Sequence, residues 1–549
     1  MFFLTDVIFD GFIRKEIVNR EEDYREEQYL YICISTILNL KSQNNQSSLE
    51  SLWQKSNNFL PFVYLAYAII MVGIVTFITP AFQNPDEPNH FARAEQVSRF
   101  EWVPTFTRET GLNKAIGADS LFAPDKGGFA TDKAIYKLDT AIGIGLRSGS
   151  KVILPYARNI KWGTGVIHFN FGNTAIYPPF VYFMPALGIA TGKLFNLSVL
   201  NTLYISRLYN GTAAITITFI SLLLAKRSRV LLFIVLLFPM TVALFASVGQ
   251  DAILISCSFL IVAIIDKAEF EQQGVYKQWQ FYVLIVLMIV VGVGKPPYLL
   301  FTAVIPFTKL NLKQKVVGTC VPVVMLACWL IINHANFGIH FAPLELRINA
   351  GLQVKGIIRQ PLNFFGMFFK YDRIALVGFA RMFVGVLGPL TVALSDVYYR
   401  NVYIVLFIGV LLTVGIGKND KPGLRAALMV IVLLTIAAVL TAQYVTWTAL
   451  GSSTLCGMQG RYLLPVFPFL ALAIAGDHRR KSFIAIKTPV LILLFTFPVY
   501  TAITLVKGLN SKYHPKPIKT VALTRPNYFA KKSASLCPTN TQILCCLNK

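Results

Sequence analysis

Two adjacent carboxylates, Asp86 and Glu87, follow directly on the first long apolar run of the chain, residues 59–79. That run is long enough to cross a bilayer as a helix, so the acids emerge where the chain leaves the hydrocarbon. Pro85 and Pro88 flank them and predict an extended turn at the membrane surface. Carboxylates held there can take a proton from an attacking hydroxyl or amine. Asp86 and Glu87 are therefore candidate catalytic residues, the alternative being that they are solvated acids at a helix end.

Three basic residues at the ends of other apolar runs are candidates for binding a phosphate. Lys295 precedes two prolines, and Arg461 opens an apolar run. The planar guanidinium of arginine suits bidentate contact with a phosphate, and a cation can stabilise the charge that develops on a leaving group. Arg207 is the third candidate. The alternative for all three is interfacial anchoring, in which the charged end of the side chain reaches the lipid head groups.

Several further polar or aromatic residues on the same predicted side of the membrane are candidates for contacting the substrate. They are Asp251, Gln459, Tyr298, His90 and Tyr177. No HExxH, GxSxG, GxGxxG or P-loop pattern and no metal-ligand spacing is present. If a divalent cation such as Mg²⁺ or Mn²⁺ takes part, Asp86 or Glu87 is the predicted ligand, and no other cofactor is predicted.

The composition is that of a polytopic membrane protein. Of 549 residues, 55% are hydrophobic and only 14% are charged, which excludes an ordinary soluble domain. The formal net charge is +24. A nucleic-acid partner is excluded because a basic nucleic-acid binder would not carry so many apolar runs of spanning length. We assign the excess to cytoplasmic loops beside anionic lipid.

The alternation of apolar and basic segments predicts an all-α transmembrane bundle of about eleven spans, among them residues 230–248 and 299–308. Residues 59–506 form this membrane domain, preceded by a cytoplasmic extension (1–58) and followed by a basic tail (507–549). Residues 80–204 form a large first external loop and residues 334–401 a second external region. The apolar segment 177–195 is predicted to be a juxtamembrane helix, because its crossing would place the basic residues 226–229 outside.

The sequence resembles a bacterial family of membrane proteins, domain of unknown function 2142, which looks related to the GT-C glycosyltransferases. The likeness covers residues 59–506 and rests on PDEPNHF at 85–91, YPP at 177–179, Asp251, KPPY at 295–298 and QGRYLLP at 459–465. The GT-C resemblance implies a helical bundle, a large first external loop with juxtamembrane helices, and an acid there as general base or metal ligand. That role falls on Asp86 or Glu87. The DxD spacing of some GT-C enzymes is absent.

These features together predict transfer of a sugar from a polyprenyl-phosphate-linked donor to an acceptor outside the cytoplasm, in synthesis of a cell-envelope polysaccharide or glycolipid. The predicted location is the bacterial inner membrane, with the site on the extracytoplasmic side. The partners are the lipid-linked donor and the membrane. One alternative is a transporter or flippase of a lipid-linked sugar, which should show interrupted spans and charges near the bilayer middle. Another is a non-catalytic protein of an envelope-assembly complex.

Overall fold

A computed structural model describes ten stretches of the chain: residues 46–108, 127–148, 153–270, 276–339, 348–369, 373–415, 421–450, 452, 455–476 and 484–514. The predicted cytoplasmic extension up to residue 45 and the predicted tail from residue 515 lie outside these residues. Residues 477–483 do so as well. Helices dominate the described part, as predicted for the fold class.

The first part of the chain forms a long helix and a mixed layer of short helices and strands. Its elements are α1 (Gln46–Ile78), α2 (Glu87–Ser98), β1 (Phe106–Arg108), β2 (Gly127–Asp132), α3 (Lys133–Ser148), α4 (Ile153–Arg158), β3 (Val166–Phe169), α5 (Gly172–Ala175), a 3₁₀ helix (Pro179–Tyr182) and α6 (Phe183–Leu194). The strands form one antiparallel sheet in the order β1-β2-β3. This sheet departs from the all-α prediction, because strands of three to six residues give too short an alternation to be recognised.

Helix α6 packs closely against α7 (Val199–Leu224), the second long apolar helix. A Cβ atom on Gly188 would lie 2.5 Å from the Cα atom of Ser206, and one on Gly192 would lie 2.4 Å from the hydroxyl of Thr202. Only glycine allows this approach of the two backbones. With 12 residues, α6 is shorter than a membrane span. Its predicted position on the membrane surface stays a prediction.

The centre of the bundle is built from α8 (Arg229–Leu236), α9 (Pro239–Phe245) and α10 (Asp251–Phe270). Every residue of α8 and α9 is buried. Residues 230–248, predicted as one span, form two helices, because Pro239 has no N–H group and holds Phe238 in an extended conformation. The carbonyl groups next to the break bond to side chains of the protein. The Tyr67 hydroxyl donates to the Leu237 carbonyl at 2.9 Å, and the Thr241 hydroxyl donates to the Val235 carbonyl at 2.9 Å.

The second half of the chain adds helices around this centre. They are α11 (Gln278–Gly294), a 3₁₀ helix (Pro296–Phe307), α12 (Leu312–Ile332), α13 (His334–Phe337), α14 (Ala350–Arg359), α15 (Pro361–Met367), α16 (Arg373–Gly385), α17 (Asp396–Thr413), α18 (Pro422–Trp447), a 3₁₀ turn (Gly460–Leu463), α19 (Phe467–Ile474) and α20 (Ile484–Tyr513). A short hairpin, β4 (Val386–Leu387) and β5 (Val392–Ala393), separates α16 from α17.

Six helices in the described part of the chain are long and apolar enough to cross a membrane. They are Lys55–Ile78 within α1, α7, α12, α17, α18 and Ile492–Tyr513 within α20. Most of the other predicted crossings fall on shorter or broken elements; residues 299–307, for example, belong to a 12-residue 3₁₀ helix. Helix α10 has 20 residues but is not among the six. The count of about eleven spans therefore stays a prediction.

Candidate functional site

The turn that carries Asp86 differs from the extended turn that the prolines predict. Asp86 has a left-handed backbone (φ 57°, ψ 12°), and α2 begins at the next residue. Pro88 lies in the first turn of α2, where a helix tolerates proline because the missing N–H has no partner there anyway. Aspartate is one of the few side chains that adopts this backbone readily. The Asp86 carboxylate makes no capping bond to α2, so it is available to a distant part of the chain.

Arg461 joins Asp86 to a second carboxylate. Its Nη2 donates to Asp86 Oδ2 at 3.0 Å, and its Nη1 lies 3.5 Å from Asp251 Oδ2. The Arg461 side chain is 4% exposed, whereas that of Asp86 is 42% exposed. The structure thus brings together residues separated by 375 positions in sequence, and Asp86 is the member that faces solvent.

Lys295 lies beside this ion network, between α11 and the following 3₁₀ helix. Its Nζ sits 3.7 Å from the centre of the Tyr462 ring, a cation–π contact. Burial lowers the pKa of Lys295 to about 8, although the nearby Asp251 acts in the opposite sense. Burial opposes ionisation of Asp251, but Lys295 and Arg461 outweigh it, so the pKa of Asp251 lies below its ordinary value. The site therefore combines the acidic side chains of Asp86 and Asp251 with the basic side chains of Lys295 and Arg461.

Tyr298, predicted to contact the substrate, is instead committed to an internal bond. Its hydroxyl donates to the backbone carbonyl of Tyr462 at 2.7 Å, and the side chain is 1% exposed. This bond ties the 3₁₀ helix after Lys295 to the turn that carries Arg461. The geometry therefore gives Tyr298 a positioning role.

His90 and Tyr177 lie at the edge of the network. A ring nitrogen of His90, Nδ1, is 2.7 Å from the hydroxyl of Tyr182. Burial lowers the pKa of His90, while Asp86 and Asp251 act to raise it. Burial raises the pKa of Tyr177, and Asp251 and Asp86 add to that effect. Because both carboxylates influence both groups, His90 and Tyr177 belong to the surroundings of the site.

Glu87 and Arg207 form a separate, fully buried ion pair. Arg207 Nε and Nη2 donate to the two Glu87 oxygens at 2.8 and 2.6 Å. The remaining N–H groups of Arg207 donate to the carbonyls of Thr76, Thr79 and Pro80. Both side chains are 0% exposed. With all five donors of Arg207 in use, we assign this pair to fastening the end of the first candidate span to α7, rather than to the catalytic and phosphate-binding roles predicted for its members.

Gly460 sets the position of Arg461. A Cβ atom at residue 460 would lie 2.1 Å from the carbonyl oxygen of Phe379 and 2.5 Å from the backbone nitrogen of Phe383, both on α16. Only a residue without a side chain lets the 3₁₀ turn pack onto α16 this closely. Gln459, the preceding residue, is 9% exposed, and its side-chain oxygen has no hydrogen-bond partner.

The described residues contain no group of three or more His, Cys, Asp or Glu side chains placed to hold a metal ion. The two carboxylates that come closest to such a site, Asp86 and Asp251, share the guanidinium of Arg461. A divalent cation at this point would have to displace that guanidinium. The residues present therefore do not fit a metal ion, because the guanidinium of Arg461 already occupies the space between the two carboxyl groups.

A second polar recess lies further along α2. It is a cleft of about 260 Å³ lined by Glu95, Arg99, Thr131, Asp132, Gly163 and Gly165, among others. Neither Asp86, Asp251, Lys295 nor Arg461 is among its lining residues. The recess is thus separate from the ion network.

Sequence reasoning missed three residues that shape the site. Gln250 directly precedes Asp251 and is 2% exposed. Tyr462 contacts Lys295, and Asn210 donates from its side chain to the carbonyls of Ser247 and Gly249, fixing the turn before Gln250. Gln250 and Tyr462 are sequence neighbours of residues that were predicted. Asn210 lies within the apolar helix α7, where a polar side chain could have indicated a functional or structural role.

The fold defines a class: a largely α-helical membrane protein whose charged network lies where the first candidate span ends. Over residues 69–470 the chain matches the family described as predicted membrane proteins, DUF2142. The protein belongs to that family, as the sequence motifs predict. No curated protein and no solved structure matches the chain.

Proposed function

We propose that the protein is a membrane glycosyltransferase that moves a sugar from a polyprenyl-phosphate-linked donor to an acceptor outside the cytoplasm. The observation that carries the proposal is the half-exposed Asp86 carboxylate, oriented by the buried Arg461 next to Lys295. An exposed base and a neighbouring cation are the two groups that displacement of a phosphate by a hydroxyl requires.

The proposed reaction uses these groups as follows. The acceptor hydroxyl forms a bond to the anomeric carbon of the sugar while the bond from that carbon to the phosphate oxygen breaks. Asp86 takes the hydroxyl proton, and the polyprenyl phosphate leaves with the bonding electrons. Lys295 supplies positive charge to the phosphate: its ammonium group lies over the Tyr462 ring, and the nearby Asp251 acts to keep it charged. Arg461 orients Asp86 and Asp251.

A position on the outer face is supported by the direction of α7. Arg207 of α7 contacts the carbonyls at the end of the first candidate span, near the network. The basic residues 226–229 follow the opposite end of the same helix. Since short loops rich in lysine and arginine stay in the cytoplasm, the network belongs to the extracytoplasmic end of the bundle.

A transporter or flippase of a lipid-linked sugar is the second candidate, and the break between α8 and α9 is the feature that favours it. Interrupted helices in transporters present free backbone groups to a polar substrate near the bilayer middle. The carbonyls at this break are instead used by Tyr67 and Thr241, and the surrounding residues are buried and apolar. The network near α2 therefore supports an enzyme.

The test is transfer in vitro. Purified full-length protein in lipid nanodiscs, given a short-chain polyprenyl phosphate that carries a labelled hexose, together with an extract of envelope glycans, is expected to yield labelled glycan and free lipid phosphate. Movement of the intact lipid-linked sugar across vesicles without cleavage would support the transporter instead. Comparing surface glycans of a deletion strain with those of its parent identifies the product.

The pKa of Lys295 predicts how donor binding depends on pH. The ammonium form is needed to bind phosphate, and the pKa of about 8 in the free protein means that this form prevails at neutral pH. Affinity for the sugar-bearing lipid is expected to be constant up to about pH 7.5 and then to fall by up to about tenfold per pH unit. Lys295→Arg keeps its charge throughout and should show a flat profile. Equilibrium binding between about pH 7 and 9.5 measures this, and an equal decline in both proteins would contradict it.

A further inference from the structure

Two buried glutamines flank the ion network with side-chain oxygens that bond to nothing in the described structure. Gln250 is 2% exposed and Gln459 is 9% exposed, and the Oε1 atom of each has no hydrogen-bond partner. The buried Nε atom of Arg461 also has no hydrogen-bond partner. Buried polar atoms in folded proteins are nearly always paired, so three unpaired atoms at one network point to a partner that is not part of the chain.

Both glutamines occupy the same kind of position. The Gln250 carbonyl accepts the N–H groups of Ile253 and Leu254 as α10 starts, and the Gln459 carbonyl accepts that of Tyr462 as the 3₁₀ turn starts. Neither side chain is used to cap its own helix: Gln459 makes no capping bond, and the Oε1 of Gln250 is unpaired. Each glutamine directly precedes, or lies two residues before, a charged member of the network. The two amides therefore enter the site together with Asp251 and Arg461.

The chemistry of the unpaired atoms selects the ligand group. A phosphate or sulfate offers only acceptors at neutral pH and leaves two amide oxygens unsatisfied. A hydroxyl both donates and accepts, so adjacent hydroxyls can donate to the two amides and accept from Arg461 Nε. The Gln250 side chain also bonds to Tyr177, which leaves the amide oxygen of Gln250 as its free acceptor.

We propose that Gln250 and Gln459 bind the hydroxyl groups of the transferred sugar, next to the phosphate subsite at Lys295. This inference rests on the proposed function and adds a specificity site to it. The site divides the donor into two parts: Lys295 binds the phosphate, whereas the two amides and Arg461 Nε distinguish a lipid that carries a sugar from one that does not.

The experiment compares two probes on the full-length protein in nanodiscs: a short-chain polyprenyl phosphate, and the same lipid with a single hexose. Gln250→Leu and Gln459→Leu are each expected to lower affinity for the sugar-bearing lipid by about tenfold or more, since each removes one hydrogen bond to the ligand. Affinity for the sugar-free lipid should stay unchanged. Lys295→Ala should lower affinity for both lipids.

The leucine variants are expected to fold, because replacing a buried amide by an apolar group of similar size removes an unsatisfied oxygen, although Gln250→Leu also removes the bond to Tyr177. Thermal unfolding checks this, and Gln250→Asn and Gln459→Asn serve as second variants that retract the amide. Gln280→Leu is the matched control, a buried glutamine that accepts from Lys277 at the other end of α11. Wild-type affinity for the sugar-bearing lipid in the folded variants, or an equal loss for both lipids, would overturn the sugar subsite alone. If the wild-type protein binds neither lipid, the proposed function falls as well.

Discussion

Replacing Asp86 with asparagine is expected to lower the rate of sugar transfer by about 10²–10⁴-fold while leaving the fold intact. The variant loses the only half-exposed carboxylate of the network and with it the proton acceptor. Asparagine adopts the left-handed backbone at this position as readily as aspartate. Arg461 keeps Asp251 as its counter-ion. The measurement is the initial rate of label transfer, with thermal unfolding of the same preparation.

The matched control for this variant is Asp132→Asn. Asp132 is also an acid of the mixed layer of short helices and strands, but it lines the separate recess and accepts hydrogen bonds from the backbone N–H groups of Ala134 and Gly163. It should transfer sugar at nearly the wild-type rate. Full activity in Asp86→Asn would remove the proposed base and reject the catalytic assignment.

Replacing Glu87 with glutamine, or Arg207 with methionine, is expected to destabilise the protein by about 3–5 kcal/mol. Each change leaves the other member of a fully buried ion pair without its counter-charge. The effect should appear as a lower midpoint of denaturant unfolding and a smaller folded fraction in membranes. The double variant Glu87→Gln with Arg207→Met should recover part of the loss, since no buried charge then remains.

An exposed ion pair provides the comparison for this prediction. Arg381 Nη2 and Asp396 Oδ1 lie 2.8 Å apart with side chains 33% and 58% exposed. Asp396→Asn should therefore change stability by less than about 1 kcal/mol. If Glu87→Gln proved as stable as the wild type and yet inactive, Glu87 rather than Asp86 would be the base.

The distinction between Asp86 and Glu87 shows where sequence reasoning stops. Both acids were candidates because they are adjacent and follow a span. In the structure α2 starts at Glu87, whereas Asp86 precedes the helix with a left-handed backbone, so the two side chains diverge. One acid then points into the bundle at Arg207 and the other outward at Arg461. Nothing in the local sequence identifies the residue at which the helix starts, since Pro88 suits either a turn or a first helical turn.

The long-range part of the site was more accessible to prediction. The sidedness of the basic loops placed residues 86, 251, 295 and 461 on one face, and the structure brings these four together. The broken centre at Pro239 and the three-stranded sheet were not predictable in the same way. The break at Pro239 depends on hydrogen bonds from Tyr67 and Thr241 to the backbone carbonyls that it leaves free. The sheet depends on pairing between short strands that are far apart in sequence.

The central claim is that Asp86 and Arg461 share one site at the outer face of the membrane. The most direct measurement places cysteines at both positions in a protein whose native cysteines are replaced by serine, and adds a short, membrane-impermeant bifunctional thiol reagent to spheroplasts. An intramolecular cross-link is expected to form without permeabilisation, while a control cysteine at Lys226 reacts only after permeabilisation. Reaction of positions 86 and 461 from opposite sides of the membrane would exclude a shared site.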